Sequence, residues 1–168
     1  MAAGSTYTPI ATTTLGSAAS SVTFSSISGS YTDLILIMNT KNVTSTGYPR
    51  IQFNGDTSTN YSRTALSGDG SSAQSGRNAN IAFCTASYNA ASDTSNFNFN
   101  SICHIMNYSN TTTYKTVLFR SNNAGTGTDA VVNLWRKTPE AINSIYIFLD
   151  AGQYATGSTF TLYGIQAA

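Results

Sequence analysis

Charged side chains are scarce in this sequence of 168 residues, which has three lysines, five arginines, six aspartates and one glutamate. The net charge is +1, and the largest basic cluster is the pair Arg136 and Lys137. Cationic contacts to phosphate dominate the affinity of proteins for nucleic acids, so this sparse charge argues against a nucleic-acid partner. The longest apolar run, LILIM at 34–38, is far shorter than the ~20 residues of a membrane-spanning helix. We therefore expect neither nucleic acid nor a membrane as a partner.

Histidine occurs once, which leaves the chain short of catalytic bases. His104 alternates in phase with Ile102 and Met106, a pattern that predicts a hydrogen-bonded, partly buried histidine on a strand. Most aspartates lie at turns, where they cap the backbone. Asp33 and Asp150 lie beside apolar runs instead, and they are the carboxylates that a glycosidase would use. The base, nucleophile and oxyanion donors of an active site are otherwise missing, so we expect no enzymatic activity.

Cysteine occurs only twice. Cys84 and Cys103 fall in apolar segments and are expected to be buried thiols, although a disulfide between neighbouring strands would also fit. A zinc site needs a second pair of ligands beside Cys103 and His104, and the chain has none. We expect no metal and no other cofactor.

What the chain does contain is serine, threonine and asparagine, which make up 64 of its 168 residues. These residues compete for backbone hydrogen bonds and disfavour helices. Ten tyrosines, eight phenylalanines and one tryptophan argue against disorder. The length fits one domain, and an all-β fold is predicted.

Alternation of apolar residues with period two predicts about nine strands. They cover residues 22–24, 34–38, 51–53, 81–83, 97–106, 114–120, 130–135, 142–149 and 160–165. Turn dipeptides such as Asn54-Gly55 and Asp69-Gly70 separate them. Together these signals predict an antiparallel β-sandwich of jelly-roll type with eight to ten strands, formed by residues 21–168. The predicted core is Phe24, Leu34, Leu36, Phe53, Phe83, Phe99, Leu118, Leu134, Ile145, Ile147, Phe160 and Leu162.

The first twenty residues differ from the rest, because small residues surround only three apolar anchors: Tyr7, Ile10 and Leu15. Residues 1–20 are therefore predicted to be an extended N-terminal arm. The arm either stays loose or docks on a neighbouring subunit.

Residues 50–80 begin as a strand and continue as a long polar stretch. Tyrosine and arginine are enriched at interfaces, so Arg50, Tyr61, Arg63 and Arg77 form a candidate contact surface. A solvated connection is the other interpretation of this stretch.

Four segments of the chain have sequences similar to those of a known class of proteins. They are residues 21–38 (SVTFSSISGSYTDLILIM), 51–63 (IQFNGDTSTNYSR), 107–121 (NYSNTTTYKTVLFRS) and 134–165. The chain resembles small structural proteins of tailed phages, particularly phages of aquatic bacteria. The resemblance implies a virion protein with a β-sandwich fold, usually homotrimeric. It is carried by strands and turns, and residues 64–96 do not take part in it.

The resemblance and the missing active site together lead to three hypotheses. The first is a capsid decoration (cement) protein that binds other virion proteins and stabilises the head. The alternative is a tail-fibre or receptor-binding tip that recognises a glycan or protein on the host surface. A polysaccharide depolymerase using Asp33 and Asp150 is the third. We expect a homotrimer located in the virion, made in the host cytoplasm and released by lysis. The homotrimer is expected because the strands LILIM and INSIYIFLD are apolar on both faces. In a monomer, the outer faces of the sandwich would leave their apolar side chains exposed.

Overall fold

The computed structural model describes residues 6–44, 46–93 and 97–166, and this part of the chain forms twelve β-strands and no helix. The strands are β1 (Tyr7–Thr14), β2 (Ser21–Phe24), β3 (Asp33–Thr40), β4 (Pro49–Phe53), β5 (Tyr61–Gly68), β6 (Ala73–Ile81), β7 (Cys84–Thr85), β8 (Phe99–Ile105), β9 (Lys115–Asn123), β10 (Gly127–Trp135), β11 (Ile145–Leu149) and β12 (Thr159–Ile165).

These strands build two antiparallel sheets. One sheet has eight strands in the order β1-β12-β3-β8-β9-β10-β5-β6, and the other has four in the order β2-β11-β4-β7. Inward side chains of both sheets form one continuous hydrophobic cluster, as in a β-sandwich. The predicted all-β antiparallel sandwich is confirmed, while the jelly-roll type stays a prediction.

The core contains nine of the twelve residues predicted for it. Its aromatic centre is Phe53, Tyr61 and Trp135, with the rings of Tyr61 and Trp135 stacked at 6.2 Å between centroids. The indole Nε1 of Trp135 donates a hydrogen bond of 2.7 Å to Asp56 Oδ2. A buried indole N–H needs such an acceptor, which explains a carboxylate at the edge of the core.

Leu118 and Leu134 do not belong to the core, which corrects the prediction. On β9 and β10 the inward positions are held by Val117, Phe119 and Trp135, so both leucines point to the other side of the sheet. Phe83 is only partly buried. The error arose because both faces of these strands carry apolar residues, so alternation could not tell the inner face from the outer face.

Within the segment predicted as an arm, strand β1 (Tyr7–Thr14) lies along the edge of the chain's own eight-stranded sheet, and residues 1–5 lie outside the described residues. Strand β1 pairs antiparallel with β12, with Tyr7 opposite Ile165. Ile10 and Leu15 pack against the core. Tyr7 is exposed and meets the ring of Tyr163 edge-on at 6.2 Å. Docking of this segment on a neighbouring subunit stays a prediction.

Most of the polar stretch 61–80 is a β-hairpin rather than an irregular connection. Strands β5 and β6 pair from Gly68 and Ala73 back toward Tyr61 and Ile81. At the turn, Asp69 Oδ1 accepts hydrogen bonds from the backbone N–H groups of Ser71 and Ser72, at 2.8 and 2.7 Å. Strand β6 forms the exposed edge of the sheet. The prediction of eight to ten strands is wrong, because the hairpin and β1 raise the count to twelve in the described residues. The strand predicted at 81–83 is also wrong, since Ile81 ends β6 and residues 82 and 83 form a bend before β7.

The segment 85–92 runs on from the end of β7 and is bound to strands β9 and β10 of the eight-stranded sheet. Buried polar side chains of β9 and β10 hold the backbone of this segment. Asn133 Oδ1 accepts from the N–H of Thr85 at 2.9 Å, and Asn133 Nδ2 donates to the carbonyl oxygen of Thr85 at 3.1 Å. Asp129 Oδ2 accepts from the N–H of Ala90 at 2.7 Å. These bonds satisfy buried backbone groups that lie outside the ladders.

Candidate functional site

Two of the four predicted contact residues, Arg50 and Arg63, meet in one groove, and two do not. Tyr61 is fully buried in the core, where its hydroxyl donates to the carbonyl oxygen of Asp56. It is therefore inaccessible to a partner, which corrects its assignment to a contact surface. Arg77 is exposed on β6 but does not line the groove.

The groove has a volume of about 320 Å³ and lies between the β5–β6 hairpin and the β4–β7 edge of the smaller sheet. We call it the arginine groove. It is lined by Tyr48, Arg50, Arg63, Asn78, Ile81, Phe83, Thr85, Ser87, Tyr88 and Asp150. Aromatic walls with a few convergent polar groups are typical of ligand sites.

Arg50 is held rigidly at one side of the arginine groove. Its Nη2 lies 2.7 Å from Asp150 Oδ2, and its guanidinium carbon lies 4.0 Å from the centroid of the Phe83 ring. Asp150 is itself positioned by the backbone N–H of Tyr48, which donates to Oδ1 at 2.8 Å. A planar guanidinium that is both ion-paired and stacked loses little further freedom on binding a ligand.

Arg63 lies on the hairpin side of the groove. Its Nε donates to Asn78 Oδ1 at 2.9 Å, and its guanidinium carbon lies 5.1 Å from the centroid of the Tyr88 ring. Burial lowers the pKa of Arg63 from its usual range, and the positive charge of Arg50 lowers it further. An arginine remains protonated at neutral pH nevertheless, so Arg63 keeps its positive charge in the groove.

Thr85, Ser87 and Tyr88 of the segment 85–92 also line the groove. Ser87 is only 1 % exposed, and its Oγ has no hydrogen-bond partner within the described residues. The Nε of Arg50 is also buried without a partner. Ser87 and Tyr88 were not predicted as site residues, because apolar alternation is lost in residues 85–92 and only the tertiary contacts to β9 and β10 position them.

The carboxylates considered for catalysis have structural partners. Asp33 Oδ2 lies 2.8 Å from His104 Nε2, and Asp33 Oδ1 accepts from the backbone N–H of Asn107 at 2.7 Å. His104 is therefore hydrogen-bonded and partly buried, as predicted. Asp33 begins β3 in the larger sheet, whereas Asp150 follows β11 in the smaller one.

Cys84 and Cys103 are free and fully buried thiols, so the first of the two interpretations is confirmed. Burial raises the pKa of both thiols. Within the described ranges, no three His, Cys, Asp or Glu side chains group as metal ligands. That part of the chain also has no helix that is long and apolar enough to cross a membrane.

The outer side of the eight-stranded sheet carries several exposed apolar side chains around the exposed Arg120, and we call it the apolar face. Its central row runs Leu66, Ala130, Arg120, Ile102 and Ile37 across five neighbouring strands. Leu66 is 63 % exposed and Ile37 40 %. The parallel row contains Val132 and Leu118, with Leu134 beyond them. Arg120 interrupts the central row, and Thr64 and His104 flank Val132 and Leu118 in the parallel row. Large exposed apolar patches rimmed by polar residues mark interaction sites.

The outer side of the four-stranded sheet carries aromatic rings, and we call Phe83, Tyr146 and Phe148 the aromatic face. The rings of Tyr146 and Phe148 stack with centroids 5.2 Å apart, and Phe83 meets Phe148 edge-on at 6.3 Å. Arg50 covers Phe83 from the groove side. The aromatic face and the apolar face therefore lie on opposite sides of the sandwich.

Comparison with known proteins assigns no relative to this chain. No protein family, no curated protein and no solved structure matches it.

Proposed function

We propose that this chain is a non-enzymatic structural protein of a phage particle that decorates and stabilises the capsid as a homotrimer. The observation that carries the proposal is that the sandwich presents apolar side chains outward on both sides. A decoration protein needs two adhesive surfaces, one for its own copies and one for the shell, and the two outer faces can supply them.

The apolar face is the surface that we assign to self-association. Its members come from the strands β3, β5, β8, β9 and β10, so they form a broad patch on a rigid sheet. Burying such a patch between copies removes its apolar area from water. In a closed trimer, one part of the apolar face contacts a different part of that face on the next copy, which is a heterologous interface that closes into a ring. A trimer is the state that the resemblance implies.

The aromatic face is the surface that we assign to the shell. Aromatic residues are enriched in the centres of protein interfaces, and Arg50 beside Phe83 adds a directional donor. Sparse charge on the rest of the chain avoids long-range repulsion between densely arranged copies. Location in the virion, with synthesis in the host cytoplasm and release by lysis, belongs to the same proposal.

Labelling the protein on intact particles and imaging them by electron microscopy tests this function. We expect density distributed over the shell at its local symmetry axes. Label confined to the tail end would refute decoration. Deletion of residues 1–20 is a poor test, because it would remove β1 from the eight-stranded sheet. Replacing the exposed Tyr7 by Ser instead tests whether the arm contributes to capsid binding, because this change keeps strand β1 in the sheet.

The arginine groove specifically favours the second candidate function, a receptor-binding tip that recognises a host-surface glycan or protein. A groove with fixed arginines and buried polar atoms suits a small ligand better than it suits the flat surface of a protein shell. Under this hypothesis, groove substitutions change adsorption to the host while the heat stability of the particle stays the same. Loss of particle stability with normal adsorption would favour decoration instead.

A further inference from the structure

We propose that the arginine groove binds a sugar residue that carries a carboxylate, such as a uronic acid. The proposal concerns the isolated protein and does not depend on whether the chain lies on the head or the tail. It assigns a ligand class to a groove that shares Arg50 and Phe83 with the surface assigned to the shell.

The unpartnered polar atoms are the first step of the argument. The described residues contain three buried side-chain nitrogen or oxygen atoms without a hydrogen-bond partner, and two of them, Arg50 Nε and Ser87 Oγ, belong to residues that line this groove. Buried polar groups are almost always paired in proteins. Both atoms are fully buried, so a ligand in the groove completes their hydrogen bonds only where a side-chain rotation turns them toward it.

The charge of the groove is the second step. The ion pair cancels the charges of Arg50 and Asp150, whereas the guanidinium of Arg63 is held by the neutral oxygen of Asn78 and by the ring of Tyr88. The lining thus has one excess positive charge. Arg50 Nε and the Arg63 guanidinium are donors, and the Ser87 hydroxyl can donate as well. The ligand must accordingly present acceptors and a negative charge, as a carboxylate does.

Shape and polarity distinguish a sugar from a bare anion. The groove volume of about 320 Å³ is at the small end of ligand pockets, which span about 300–1,000 Å³, so it has room for a ring beside the carboxylate. Tyr48 offers an apolar ring to the C–H face of a pyranose, because aromatic faces are electron-rich. The rings of Phe83 and Tyr88 instead hold the guanidinium groups of Arg50 and Arg63 in place. Asp150 can accept hydrogen bonds from ring hydroxyl groups.

Titration of the purified full chain with glucuronate, followed by ligand-observed NMR and calorimetry, tests the proposal. We expect glucuronate to bind at least tenfold more tightly than glucose and more tightly than inorganic phosphate. Glucose binding as well as glucuronate, or phosphate binding as well as glucuronate, would overturn the assignment to an acidic sugar. No glucuronate binding at tens of millimolar would also overturn it.

Three variants locate the binding. Arg63→Gln removes the excess charge and should weaken glucuronate binding at least tenfold, and Ser87→Ala should weaken it severalfold. Arg77→Gln is the matched control, because Arg77 is an arginine of the same hairpin outside the groove, and it should bind as the unmodified chain does. Near-ultraviolet circular dichroism checks that each variant is folded. Ser87→Ala removes an unpaired hydroxyl, so it should fold even if Arg63→Gln does not. Equal loss in Arg77→Gln, or normal binding in folded Ser87→Ala, would refute the groove as the site.

Discussion

Replacing Ile102 by lysine should dissociate the proposed trimer without unfolding the sandwich. Ile102 lies near the middle of the apolar face, opposite Ile37 on one side and Arg120 on the other. Its side chain is 38 % exposed, so a lysine there can reach solvent in the monomer. In an assembled face the same ammonium would be buried beside Arg120, a like charge on the neighbouring strand.

The size of the effect follows from this exposure. Full burial of an isoleucine side chain is worth about 1.5–3 kcal/mol, so covering the exposed 38 % of Ile102 contributes about 0.6–1.1 kcal/mol per copy. Ile102→Ala should lose that contribution and weaken association roughly three- to sixfold, since about 1.4 kcal/mol corresponds to tenfold. Ile102→Lys adds the several kcal/mol needed to bury an unpaired charge, so association should weaken by at least about a hundredfold.

Light scattering coupled to size-exclusion chromatography measures the outcome at micromolar concentration. The unmodified chain should elute with three times the monomer mass of 17.7 kDa, and Ile102→Lys should elute as the monomer. Thr111→Lys, in an exposed loop between β8 and β9, is the control and should stay trimeric. A monomeric unmodified chain would refute self-association, and a trimeric Ile102→Lys would refute the apolar face as its surface.

Three further predictions concern the stability of the core and its thiols. Asp56→Asn removes the charged acceptor of the Trp135 indole and should lower the free energy of unfolding by about 1.5–3 kcal/mol, measured by urea titration. Burial alone would raise the pKa of Asp56, but hydrogen bonds from Asn60, Trp135 and Ser58 outweigh it and lower the pKa below 3.8. This carboxylate therefore contributes its full stability above pH 3.8 and loses it as the pH falls through the lower folded pKa. Cys84 and Cys103 should resist thiol reagents until the protein unfolds, because burial raises the pKa of both.

Each of these predictions has a control or a contradicting outcome. Asp69→Asn should change stability little, because an asparagine Oδ1 can accept the same turn hydrogen bonds from Ser71 and Ser72. If Asp56→Asn were as stable as the unmodified chain, or equally sensitive to acid, the Trp135 bond would not stabilise the fold. Rapid modification of either thiol in the native protein would contradict their burial.

Alternation predicted the strands that have one clearly apolar face, and it failed where burial does not follow hydrophobicity. Strand β6 is exposed along most of its length, and its sequence shows no apolar alternation. It forms a strand because its backbone pairs with β5. On β10 the buried row includes Asn133 and Asp129. Alternation of apolar residues does not predict a buried row with polar members, and these two are buried because they bind the backbone of residues 85–92.

The candidate site was predicted only in part for the same reason. Arg50 and Arg63 were selected from residue type, and they do meet, yet Tyr61 was selected by the same rule and lies in the core. Ser87 has no distinguishing sequence signal. Its place in the groove depends on hydrogen bonds from β10 to neighbouring residues of its segment.

The sequence by itself determined the all-β class, because side-chain alternation and the shortage of helix formers act on the local backbone, as in LILIM at 34–38. It also determined that the chain is poor in charge. Only the tertiary structure decided which side of each two-faced strand is buried, that β1 joins the edge of its own sheet, and that Arg50 and Arg63 share a groove. Those outcomes depend on which distant segments pack together, and the free energy of that packing is not a property of any single segment.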